Sequence, residues 1–289
     1  GAFDYLAKPV GLEQLRALVK SALRVPDGEH ADDPLKSLTG ESAAMQQVRT
    51  MIGKLARSQA PVYVSGESGS GKELAARLIH MHSPRGGSPF VPVNCGAIPE
   101  NLMESEFFGY RKGAFTGAES DRDGFFQTAS GGTLFLDELG EMPGPMQVSL
   151  LRFLDRGEYR PVGSTRTLQA NVRVVGATNQ DIQELVHQGR FRDDLLYRIN
   201  TVTLRVPPLR ERTEDLPILV NHILQTLRIP GTTKRTVAKD ALQRLTAYAW
   251  PGNVRELRNV IERIILMGAG TGPITQADVE QVLPKSTGT

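Results

Sequence analysis

Short apolar runs rich in β-branched residues recur along the first two-thirds of the chain, separated by stretches with helical spacing. The runs are Val62-Tyr63-Val64, Phe90-Val91-Pro92-Val93, Thr133-Leu134-Phe135-Leu136, Val172-Arg173-Val174-Val175 and Val202-Thr203-Leu204-Arg205-Val206. Such runs, alternating with helices, predict a parallel, doubly wound five-stranded α/β sheet covered on both faces. Upstream, Thr39-Gly40-Glu41-Ser42 precedes a predicted helix with apolar positions Met45, Val48, Ile52 and Leu55. After Pro207-Pro208 the strands stop, and 216–227, 238–249, 254–267 and 276–283 read as helices, a small all-helical domain behind the sheet. Their start signals are Pro217 early in the first, Asn253 as an N-cap, and Thr275 as an N-cap with Asp278 at the third position.

Composition changes this picture little. At 289 residues, 39% hydrophobic and 23% charged, the chain has ample material for one large or two modest globular domains. A formal charge of +2 announces no global attraction to nucleic acid. The single Cys95 excludes an internal disulfide framework and fits a reducing cytoplasm. No apolar run approaches the length of a membrane span and no signal peptide opens the chain, so no membrane partner is expected. The start at Gly1, without an initiator Met, reads as a fragment of something longer.

Candidate chemistry collects at the strand ends. After the first run comes Gly66-Glu67-Ser68-Gly69-Ser70-Gly71-Lys72, and then a helix predicted from Leu74, Leu78 and Ile79. This strand–loop–helix is the context of a P-loop: glycines let successive N–H groups turn inward, the helix adds its positive end, and Lys72 supplies a charge for β- and γ-phosphates. Glu73 stands where Ser or Thr normally holds Mg²⁺. The third run ends in Asp137 and Glu138. Beside a P-loop, Asp137 would coordinate Mg²⁺ directly or through water, and Glu138 would polarise the attacking water. The fourth run ends in Thr178 and Asn179, which either sense the γ-phosphate or start an Asx-type turn. Arg192 and Arg198 fall on a predicted helix. There an arginine is ordinarily just solvated, but one reaching a neighbour's γ-phosphate would be worth roughly 10³–10⁵ in rate, and needs a ring of subunits. His80-Met81-His82 reads as a helix end rather than a metal site, and Cys95 as packed.

Between the second and third runs lies Gly113, Ala114, Phe115, Thr116, Gly117 and Ala118, the hexapeptide GAFTGA. With it, residues 38–283 resemble the AAA+ central domain of bacterial sigma-54-dependent transcriptional activators, the enhancer-binding proteins. VNCGAI (93–98), FRDDLLYRIN (191–200), LRERTEDLP (209–217) and WPGNVREL (250–257) belong to the same resemblance, and Glu73 becomes part of it. It implies a P-loop AAA+ ATPase subdomain over 38–208 and a helical lid over 209–285, using ATP and Mg²⁺. It further implies Asn94 as the switch residue that holds Glu138, Arg192 and Arg198 as trans-acting arginines, and Arg255 as the lid sensor. Residues 157–172 become a second pore loop, and Phe115 and Thr116 engage sigma-54 of the RNA polymerase holoenzyme. Phe107 and Tyr110 replace the more usual Leu and His, and Tyr110 is expected close to the loop. The implied assembly is a hexameric or heptameric ring, with a dimer when inactive, and enhancer DNA is read by a C-terminal domain beyond this chain.

The start of the chain carries a second resemblance. Gly1-Ala2, Asp4-Tyr5-Leu6 and Lys8-Pro9 are similar to the end of a response-regulator receiver domain, implying a remnant over 1–24, a linker over 25–37 and an upstream sensor kinase. Leu12, Leu15, Val19 and Ala22 lie at a spacing that either pairs two chains or covers a core. Two rival readings fit parts of the chain. A general AAA+ remodeller shares Lys72, Asp137, Glu138 and Arg198 but gives no reason for GAFTGA. A helix–turn–helix around Trp250-Pro251-Gly252-Asn253 has basic Arg255, Arg258 and Arg263, diluted by Glu256 and Glu262.

Overall fold

The computed structural model describes residues 38–227, 235–268 and 272–283. The receiver remnant, its 12–22 seam and the linker lie outside the described residues. Helix α1, Ala43–Ala56, opens where Ser42 accepts from the Met45 N–H, and it buries Met45, Val48, Ile52 and Leu55. Strand β1, Val62–Ser65, leads through the glycine loop to α2, Lys72–Met81. Leu78 and Ile79 of α2 are buried with Ala75 and Ala76, while Leu74 is only partly covered. Strand β2, Phe90–Asn94, is followed by α3, Glu100–Phe108, the GAFTGA segment, the single turn α4, Phe125–Thr128, and β3, Thr133–Asp137. Then come α5, Gly144–Arg156, and a short antiparallel pair, β4 (Glu158–Tyr159) with β5 (Leu168–Gln169), which the apolar pattern did not predict. Strand β6, Arg173–Thr178, runs three residues past the predicted apolar run. Helices α6, Ile182–His187, and α7, Asp193–Ile199, precede β7, Val202–Arg205.

The main sheet has the order β2-β3-β6-β1-β7, and every adjacent pair is parallel. Alternation along the strands divides two cores. Val62, Val64, Phe135, Val175 and Ala177 face α1 and α2, while Tyr63, Leu134, Leu136 and Val174 face the side of α3, α5 and α7. Central β6 is buried along its whole length, as a strand covered on both faces must be. Its first residue, Arg173, is buried and donates to the Leu55 and Ala60 carbonyls near the end of α1.

Four helices follow the sheet: α8 (Leu216–Thr226), α9 (Lys239–Thr246), α10 (Asn253–Met267) and α11 (Gln276–Val282). They share a third core around Trp250, Leu216, Leu245, Leu257 and Ile261. Pro217 lies in the first turn of α8, and Thr275 with Asp278 forms a complete capping box on α11. The Asn253 cap is corrected: Gly252 occupies the cap position, and Asn253, at φ 55°, turns its side chain elsewhere.

Candidate functional site

Parallel strands end together on one side of the sheet, so the loops after β1, β2, β3 and β6 converge. Ser65 pairs in register with Thr178, and Asn94 with Asp137. In the loop after β1, Gly69 and Gly71 have φ of 75° and 109°, which side-chain-bearing residues rarely adopt. Lys72 is 7% exposed, and its Nζ donates to the Gly66 and Glu67 carbonyls at 2.9 and 3.0 Å. One of its three ammonium protons is left for an incoming oxygen. Burial lowers the Lys72 pKa, while Asp137 and Glu138 oppose that shift, so both carboxylates are within electrostatic reach. Ser70 Oγ is buried in the loop without a partner.

Glu138 adopts φ 52°, and its N–H donates to Asp137 Oδ1 at 2.9 Å. A left-handed glutamate at the end of a buried strand stores backbone strain. Its carboxylate lies over Gly96: a Cβ there would stand 2.4 Å from Glu138 Oε2 and 3.4 Å from Asn94 Oδ1. Asn94 Oδ1 accepts from the Gly96 N–H at 2.9 Å. Asn94 is thus a neighbour of Glu138, bonded to the shared turn. Glu73 pairs with Arg77 at 3.1 Å on the exposed face of α2. No group of three His, Cys, Asp or Glu gathers among the described residues. Asp137 and Glu138 offer hard oxygen donors suited to Mg²⁺, which commonly takes one or two carboxylates and fills its remaining sites with water and phosphate oxygens. Cys95 is buried, and burial followed by the two carboxylates pushes its thiol up to about 12. His80 is spent inside the fold, its ring nitrogens 2.9 Å from Thr133 Oγ1 and 3.1 Å from the Ser88 carbonyl.

The helical domain closes directly on this loop. Arg255 Nη1 donates to Ser68 Oγ at 3.1 Å, and the Val254 N–H to the Gly69 carbonyl at 3.1 Å. Arg210 forms a two-pronged ion pair with Glu67, whose pKa falls to about 2 through Arg210 and then Asn253. Both partners are nearly half exposed, so water screens the pair and it adds little to stability. The turn 250–253 is therefore packed against the loop, which removes it from service as a helix–turn–helix. Asn253, Arg210 and Arg212 were missed as site residues. Their sequence signal was membership of the segments LRERTEDLP and WPGNVREL, which gave no role to these three side chains at the loop.

The other predicted side chains make no hydrogen bond to the loop among the described residues. Thr178 is buried, and its Oγ1 accepts from the Gln180 N–H at 3.2 Å, a local turn, while Asn179 is exposed. Arg192 precedes α7 as its cap residue, not within the helix as expected, and its guanidinium pairs with Asp194 at 2.8 Å. Arg198 pairs with Asp155 at 3.0 Å and lines a cleft of about 480 Å³ with Tyr197, which is 87% exposed. In GAFTGA, Gly113 N–H to Ala118 carbonyl closes the loop at 2.8 Å, with φ of 81° and 97° at Gly113 and Gly117. Thr116 is exposed and Phe115 is 45% exposed, edge-on to Tyr110 at 4.9 Å, so the loop is not a turn around a buried Phe. Ala114 packs against Gly163, joining this loop to the one between β4 and β5.

Comparison with known proteins follows the same division of the chain. The sigma-54 interaction domain family matches residues 38–205, and the AAA+ ATPase lid domain family matches 210–288. The chain is 56% identical over 267 residues to the response regulator protein PilR of Pseudomonas aeruginosa, covering 91% of this chain and 60% of PilR. It is similar to crystal structures of NtrX from Brucella abortus. With ADP bound, the TM-score is 0.80 at 33% identity, covering 100% of this chain and 66% of that one. With ATP bound, the TM-score is 0.78 at 34% identity, covering 100% and 65%.

Proposed function

The chain belongs to the sigma-54 activator family, an AAA+ ATPase domain with its lid, and from that premise we propose that it hydrolyses ATP to drive sigma-54 RNA polymerase from the closed to the open promoter complex. Gly66, Glu67, Ser68, Gly69, Ser70, Gly71, Lys72 and Glu73 form the phosphate loop. Lys72 neutralises the β- and γ-phosphates, and Glu138 takes up a proton from the attacking water as its oxygen approaches phosphorus. Mg²⁺, held at Asp137 directly or through water, would supply charge neutralisation at the phosphates. Arg192 and Arg198 act on the neighbouring subunit's nucleotide in a hexameric or heptameric ring, Arg255 reports lid closure, and Thr178 and Asn179 contribute at the γ-phosphate. Control by a sensor kinase and delivery by enhancer DNA are part of the same proposal, in keeping with the response regulator PilR to which the chain is similar.

One observation carries the coupling between hydrolysis and output. Glu138 lies over Gly96 beside Asn94, and from that turn α3 leads to the segment bearing the exposed Phe115 and Thr116. A change at the Glu138 carboxylate therefore has a short covalent and packed route to the loop. Release of γ-phosphate contacts would reorient it. Replacing Thr116 by Ala is expected to leave ATPase activity within about twofold and abolish capture of sigma-54 in the presence of a transition-state nucleotide analogue. Lost ATPase with retained capture would refute the assignment.

A further inference from the structure

The helical domain does more to the P-loop than cover it. The carbonyls of Gly66 and Glu67 are taken by Lys72 Nζ. The next three are taken by the lid: Ser68 by Asn253 Nδ2 at 3.0 Å, Gly69 by the N–H groups of Val254 at 3.1 Å and Arg255 at 3.4 Å, and Ser70 by Arg212 Nη2 at 3.1 Å. In a planar trans peptide the carbonyl and the following N–H point in opposite directions. Holding the carbonyls of Ser68 and Ser70 against the lid turns the N–H groups of Gly69 and Gly71 away from it. Among the described residues neither N–H donates a hydrogen bond. Free N–H groups whose opposite carbonyls are all occupied make a preformed anion nest.

We propose that the lid pre-organises the phosphate cradle, with Asn253 as its positioning residue, an inference that rests on the nucleotide reading of this site. Asn253 is fully buried and uses its whole side chain. Oδ1 accepts from the Leu209 N–H at 2.8 Å, and Nδ2 donates to Glu67 Oε2 at 3.1 Å and Pro251 O at 3.4 Å besides Ser68 O. It thus ties the loop to the start of α10 and to the segment that crosses from the sheet to the lid. Its φ of 55° is one that asparagine tolerates better than most residues. Aspartate would lose both amide protons and set a second carboxylate against Glu67. Gly69 leaves no room for drift, since a Cβ there would stand 2.3 Å from the Gly252 carbonyl. Arg212, 2% exposed and also contacting Met45 Sδ at 2.9 Å, holds the far end of the same row of carbonyls.

The test measures ADP affinity and ATP kinetics on the full chain and two variants. Asn253→Gly keeps the backbone comfortable and deletes the bonds. Arg212→Met fills similar space and removes the donor to the Ser70 carbonyl, together with the contact to Met45 Sδ and the charge near Asp215. Asn253→Gly should weaken ADP binding and raise KM for ATP about tenfold, with kcat at saturating ATP within about twofold, and Arg212→Met should do the same to a smaller extent. Melting of each nucleotide-free variant confirms that it is folded. If folded Asn253→Gly and Arg212→Met bind ADP as tightly as the parent, or if kcat falls with KM unchanged, the lid does not set the cradle. A parent chain that fails to bind ADP at all would instead overturn the nucleotide reading itself.

Discussion

Glu138 is the residue on which the proposed chemistry depends most. Its left-handed backbone is set where β3 ends, and its N–H is held by Asp137, so its carboxylate turns back over Gly96. Changing Glu138 to Gln preserves size and removes the proton acceptor. ATP turnover should fall roughly 10²–10⁴-fold, with ADP affinity nearly unchanged. Loss of binding and turnover together would show a structural role instead. Asp137 and Glu138 were legible in the sequence because they lie at the end of an apolar run, where pattern alone says that a buried strand stops, and Lys72 because it closes a glycine-rich loop between such a run and a helix. Asn253 and Arg212 were not. Their partners at the P-loop are 186 and 142 residues away, and no local pattern encodes a contact at that separation.

Between elements, the lid is held at two places. One is the clasp of α10 on the P-loop. The other is Asp215, just before α8, which accepts from the Glu41 N–H at 2.7 Å, the Ser42 N–H at 2.8 Å and the Ser42 hydroxyl at 2.6 Å. Gly40 is required there, because at its φ of 144° a Cβ would lie 2.5 Å from Asp215 Oδ2. Asp215 is 1% exposed, so truncation strands the two buried donors of Ser42 and frees the partly exposed Glu41 N–H. Asp215→Ala is expected to cost about 3 kcal/mol, lowering Tm by about 6–12 °C in thermal melting. A change of under about 2 °C would show that water replaces the carboxylate. The helices themselves were predicted well, since four apolar faces share one core. The join between lid and sheet was invisible, because it is made by capping and turn residues whose local roles already account for their presence.

At the scale of the whole molecule, Arg192 and Arg198 are held by Asp194 and Asp155, and neither bonds to the P-loop among the described residues. In the proposed mechanism they act on the nucleotide of a neighbouring copy. ATPase rate per subunit should therefore rise with protein concentration. Adding Arg198→Ala subunits to the parent should depress the rate by more than simple dilution. A per-subunit rate independent of concentration would exclude the shared site. The five strands of the main sheet, the lid helices, the glycine loop, the acidic strand end and GAFTGA were determined by the sequence alone, because each is a local pattern of burial, φ or charge, whereas the short β4–β5 pair was not. Only the tertiary structure decided that Asn253 serves the P-loop and not a helix cap. It also decided that the Thr178 hydroxyl accepts from the Gln180 N–H, that Phe115 is half exposed against Tyr110, and that the lid takes the carbonyls of Ser68, Gly69 and Ser70. The lid contacts depend on which distant groups meet, and that is settled when the lid packs against the sheet, while the Thr178 and Phe115 contacts are local side-chain placements that a pattern of burial does not encode.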